Sequence, residues 1–134
     1  MVKLKVIIET SGDNYSAYID GLDGIIATGK SIEEIKSNMA EAISMFKEGC
    51  EECGCDIPEE LRGEYETDFI MDAKSLLDMY SSIFTKAGLE KITGINQKQL
   101  WHYASGKTKP RESQKKKIEN AIHKLGQELI SIRI

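Results

Sequence analysis

At the junction of Asp72 and Ala73 this sequence changes character in two ways at once. Residues 1–72 carry 6 Lys and Arg against 17 Asp and Glu, a net charge of −11, while residues 73–134 carry 12 against 5, a net +7. At the same place, short β-branched runs give way to apolar residues at helical spacing. A chain of 134 residues is long enough for two small modules that each bury a core. The coincidence therefore predicts an α+β protein of two modules, 1–72 and 73–134. Fields of opposite sign suit one half to a polyanion, while the other repels it or binds a basic partner.

In the first module, Leu4-Lys-Val-Ile-Ile-Glu9 reads as a strand and Thr10-Ser-Gly-Asp-Asn14 as a turn. Tyr15 to Ile19 completes a hairpin, and Asp20-Gly-Leu-Asp-Gly24 leads to a third short strand, Ile25 to Thr28. Ser31-Ile-Glu-Glu34 has the form of a capping box. Behind it, Ile35, Met39, Ala42, Ile43 and Phe46 fall on one helical face, with Gly49 as the expected end. Residues 50–65 are acidic and broken by Gly54, Pro58 and Gly63, and Tyr65 to Met71 alternates as a returning strand. The predicted order is β-β-β-α-β, the helix lying on one face of the sheet.

The second module reads as four helices. Leu76, Leu77, Tyr80 and Phe84 stripe the first, and Leu89 and Ile92 the second, which Thr93-Gly94 closes. Asn96 is a strong cap for a third helix running from Gln97 to about Ala104 and closed by Ser105-Gly106. Ile118, Ile122, Leu125 and Leu129 stripe the last, and the alternating tail Ile130 to Ile134 is a candidate strand. Two short helices meeting at a turn centred on Gly94 make a helix-turn-helix, whose second helix enters a major groove. Gln97 and Gln99 can offer paired donors and acceptors to base edges, and Lys98 can reach guanine or phosphate. His102 skirts that face. Lys107, Lys109 and Arg111 are placed to hold phosphates, with Lys115, Lys116 and Lys117 adding a basic run. Lys86, at the start of the preceding helix, and the cap Asn96 complete the candidate DNA-binding set. Ile95, Leu100 and Tyr103 are expected to face the core.

The segment Gly94-Ile-Asn-Gln-Lys-Gln-Leu-Trp-His-Tyr-Ala-Ser-Gly-Lys-Thr-Lys-Pro110 resembles the recognition half of the Cro/C1-repressor-type helix-turn-helix. The first module, through Ser11-Gly-Asp-Asn-Tyr-Ser-Ala-Tyr18, Gly21-Leu-Asp-Gly24 and Gly29-Lys-Ser-Ile-Glu-Glu34, resembles the HicB-type antitoxin domain. That family joins a partial ribonuclease-H-like fold to a carboxyl-terminal DNA-binding domain, so the resemblance spans nearly the whole chain. It implies an antitoxin that neutralises a small basic ribonuclease toxin (HicA-like) and represses its own operator, without catalytic residues or a cofactor. The −11 module suits a basic toxin through complementary fields. Trp101 departs from the pattern, standing beside the recognition face where a small or polar residue is usual. It can pack against a neighbour, stack on backbone sugars or join a dimer contact.

Other classes fit less well. No apolar run approaches the roughly 20 residues of a membrane span, and the start of the sequence lacks the pattern of a signal peptide. A reducing cytoplasm is expected, with Cys50, Cys53 and Cys55 as thiols. Three cysteines without a nearby histidine fall short of the four ligands of a zinc site, so no metal is expected. Glu9, Asp20 and Asp23 do not form the clustered carboxylates of a two-metal nuclease. Repressors of this type read two half-sites, so a homodimer or higher homo-oligomer is expected, with the last helix and tail as the interface. The rival reading is an orphan DNA-binding regulator whose sheet module senses a ligand or only dimerises.

Overall fold

β-Branched and aromatic residues that alternate in the first thirty positions send one set of side chains to each face of a sheet. The computed structural model describes residues 1–134, and the α+β chain divides into two compact units, Met1–Asp72 and Ala73–Ile134. In the first unit, β1 (Val2–Ser11), β2 (Asn14–Ile19) and β3 (Leu22–Gly29) form an antiparallel meander. Strand β4 (Tyr65–Met71) returns to pair parallel with β1, giving the order β3-β2-β1-β4. Gly12 and Gly21 turn the two hairpins at φ of 60° and 84°, a conformation that side chains disfavour.

One face of the sheet carries Leu4, Val6 and Ile8, then Tyr15, Ala17 and Ile19, then Ile25 and Ala27, all buried. Helix α1 (Ile32–Cys53) covers it with Ile35, Met39 and Ile43. The Ser31 hydroxyl starts the helix by accepting the Glu34 N–H at 3.1 Å. Where α1 leaves β3, a Cβ on Gly29 would stand 3.0 Å from Ile35 Cγ1 and 3.1 Å from the Ile35 nitrogen. A helix about 10 Å wide does not span four strands about 4.8 Å apart. Consequently the inward residues of β4 (Tyr65, Thr67, Phe69 and Met71) are only half-buried.

In the second unit, α2 (Ala73–Met79), α3 (Lys86–Thr93), α4 (Gln97–Ser105) and α5 (Glu112–Ile130) enclose a small core. Leu77, Leu89, Ile95, Leu100, Tyr103 and Ile118 form it, with Leu76, Phe84 and Ile92 packed around them. No helix of the protein is long and apolar enough to cross a membrane.

Several local expectations need correction. Helix α1 does not stop at Gly49 but continues to Cys53, and Gly54, at φ 72°, is its cap. A glycine within a helix costs only about 1 kcal/mol, and burial of Cys50 carries the helix past it. Cys53 and Cys55 are joined by a disulfide rather than standing as thiols, because the left-handed turn at Gly54 brings their Cα atoms to 5.4 Å; Cys50 alone is free and buried. Helix α2 ends at Met79, so Tyr80 and Phe84 lie in the connecting turn with ring centroids 6.2 Å apart. The tail is not a strand: α5 runs through Ile130, and Ile132 and Ile134 stand exposed beyond it.

Candidate nucleic-acid interface

Helix α4 and the loop after it carry Lys98, Lys107, Lys109 and Arg111, and local sequence sets that helix at both ends. Gly94 takes φ 76° and ends α3, its N–H donating to Glu90 O at 2.8 Å. Thr93 Oγ1 donates to Leu89 O at 2.6 Å and accepts the Ile95 N–H at 3.0 Å, which fixes the turn between the helices. Asn96 Oδ1 then accepts the Lys98 N–H at 2.8 Å. The Glu90 carboxylate, reaching over from α3, accepts the Gln97 N–H at 3.0 Å. Two of the free donors at the start of α4 are therefore satisfied by side chains. At the other end Gly106, φ 80°, turns the chain, and Lys107 N donates to His102 O at 3.0 Å.

With 100° per residue, this fixing decides which side chains point out. Leu100 and Tyr103 are buried, and the Tyr103 ring lies in the core. The opposite side presents Gln97, Lys98, Trp101 and Ser105, all exposed. Trp101 thus stands on the outward face, four residues after Gln97 and three after Lys98, rather than beside it. It is 57% exposed, and its ring meets His102 edge-on with centroids 5.8 Å apart. His102 is half-buried on the flank.

Gln99 also lies on a flank, two residues and therefore 200° from Gln97. It is half-buried, and its amide nitrogen is 3.4 Å from Thr108 Oγ1. That contact and the Lys107 and Thr108 N–H groups, which donate to His102 O at 3.0 and 3.4 Å, link the loop after α4 to the helix. Lys107, Lys109 and Arg111 on this loop are exposed, and Arg111 is the N-cap residue of α5. Lys86 is half-buried in the first turn of α3, next to the cap Thr85. Of the expected residues, Gln97, Lys98, Lys107, Lys109 and Arg111 are free to meet a ligand. Asn96 spends its oxygen on the helix.

Glu90 and Thr108 carry structural roles that the sequence pattern did not mark, because each acts on a residue seven or more positions away. No group of three or more His, Cys, Asp and Glu side chains is placed to hold a metal ion. No protein-family model, curated protein or solved structure matches the chain. The site therefore rests on geometry and charge.

Proposed function

We propose that this chain is an antitoxin and autorepressor whose second unit binds operator DNA through α4 and whose first unit binds a small basic ribonuclease toxin. The observation that carries the DNA half is the outward side of α4. Gln97, Lys98 and Trp101 project together from a helix whose opposite side is core. Gln97 and Lys98 supply hydrogen-bonding groups for base edges, and Trp101 supplies an apolar surface for thymine methyl groups. Lys107, Lys109 and Arg111 flank it as phosphate anchors in a unit of net charge +7. The toxin half is supported by the −11 charge of the first unit and by the sequence resemblance to HicB-type antitoxins.

Two-fold operators call for a homodimer. Along α5, Leu125 is half-buried, and Leu129 and Ile130 are 60% and 85% exposed. An apolar helix end that its own chain leaves uncovered suits a second copy.

Trp101 is the single tryptophan, so its fluorescence reports on α4 without a label. Titration with the chain's own promoter fragment should change the emission at concentrations well below those needed for a scrambled fragment. Equal, weak responses to both would overturn sequence-specific recognition. For the toxin half, the tagged chain is co-expressed with the adjacent reading frame. A small basic protein is expected to co-purify at fixed stoichiometry. A chain that arrives alone yet still retards promoter DNA would be a regulator of the orphan kind.

A further inference from the structure

Strand register builds a feature on the uncovered face of the sheet that lies opposite α1. Ile7 of β1 pairs with Tyr18 of β2, Tyr18 pairs with Ile26 of β3, and Ile7 also pairs with Ile70 of β4. These four residues form a single apolar row across all four strands, about 14 Å long at the usual strand spacing. Ile26 is 66% exposed, Tyr18 and Ile70 are each 40% exposed, and Ile7 is half-buried between them. A solvated sheet face ordinarily shows polar residues at such positions.

Polar residues bracket the row. On one side Glu9 pairs with Ser16 and Ser16 with Thr28. On the other, Lys5 pairs with Asp68, and the Asp20 N–H donates to Lys5 O at 2.9 Å. Beyond these, Lys3 pairs with Glu66. Four carboxylates thus share the face with two lysines, and the unit around it carries −11. The field is felt at the centre of the row: the Tyr18 phenol is held above its ordinary pKa, first by desolvation, then by the Glu9 and Asp20 carboxylates.

An apolar strip with a charged rim is the anatomy of a protein-binding surface. Its excess of carboxylates selects a cationic partner. We infer that the open face of the sheet, centred on Tyr18 and Ile26, is where the first unit binds the small basic protein, leaving α1 and its exposed Met45 outside the contact. This placement rests on the antitoxin reading above and adds the surface to it.

The test uses the full chain and, as probe, the product of the adjacent reading frame expressed and purified separately. Ile26→Ser and Tyr18→Ser remove parts of the row, and Met45→Ser alters a side chain 64% exposed on α1. Each Ser variant of the row should weaken binding by about tenfold or more, and Met45→Ser by less than about twofold. Circular dichroism and the thermal transition of the full chain should stay close to those of the unaltered protein and certify that the sheet of the first unit is folded. Full affinity in both row variants, or a loss confined to Met45→Ser, would overturn the placement while leaving the antitoxin reading standing. Failure of the unaltered chain to bind the probe would remove both. If the row variants instead lower the mass of the chain alone in solution, the face is covered by a second copy and the inference fails.

Discussion

The carboxylate of Glu90 in α3 accepts the backbone N–H of Gln97, the first residue of α4, at 3.0 Å. This bond ties two helices together across the turn and places negative charge at the positive end of the α4 dipole. Glu90→Ala should lower the stability of the second unit by about 1 kcal/mol. Glu90→Gln keeps an acceptor oxygen and should recover most of that loss. Thermal denaturation of the three proteins checks the order; identical melting temperatures for all three would show that the bond contributes nothing.

The outward residues of α4 and the loop residues should separate by what they read. Gln97→Ala and Lys98→Ala are expected to reduce the preference for operator over random DNA. Lys107→Ala and Lys109→Ala should weaken both DNAs and reduce the salt slope of binding by about 1 each. Retardation assays over a range of salt concentrations make the distinction. Equal losses on both DNAs for all four variants would mean that α4 does not face the groove.

Leu100 and Trp101 are adjacent in sequence and opposite in consequence. Leu100 is fully buried, and Leu100→Ala should cost about 2–5 kcal/mol by leaving a cavity. Trp101→Ala should change stability by no more than about 0.5 kcal/mol and yet weaken operator binding. Stability measured by circular dichroism and affinity measured by retardation give the two readings. A large loss of stability in Trp101→Ala would assign that ring to packing.

Self-association should depend on the exposed end of α5. Leu129→Glu, or deletion of residues 130–134, is expected to shift the mass in solution towards the monomer while the core around Ile118 stays folded. Sedimentation at several concentrations is the measurement. An unchanged mass in both variants would place the dimer contact elsewhere.

Gly29 tests how closely α1 packs on the sheet. Its φ is ordinary, so the constraint is space rather than backbone conformation: a methyl group there would press on Ile35. Gly29→Ala should destabilise the first unit by about 1–3 kcal/mol, whereas Gly49→Ala, with open space around the new methyl group, should not. Chemical denaturation of the two variants compares them directly.

What the sequence discloses here is what acts over a few residues. The caps Ser31 and Asn96 and the stops Gly94 and Gly106 work through bonds two to four positions long, and α4 lies where they put it. The end of α1 is not legible in the sequence, which offers both Gly49 and Gly54 as stops; only Gly54 takes a left-handed φ. The apolar row was not legible, since Ile7, Tyr18, Ile26 and Ile70 share no local pattern and meet only through strand register. The bond from Gln97 N–H to Glu90 is likewise not legible, because it spans seven positions across the turn between α3 and α4. The outward position of Trp101 is legible, because its spacing from Gln97 is one helical turn.

The parallel pairing of β4 with β1 sets an order of assembly. Val6 and Phe69 are register partners 63 positions apart, so the sheet closes only after β4 has been made. Non-local pairing of this kind is slow, and chains fold from the N-terminus as they are synthesised. Ile70, the last member of the row, arrives with that final strand. A nascent chain therefore displays three of the four apolar residues, and the full strip marks a sheet that has finished folding. A partner that required all four would bind only molecules whose sheet is complete.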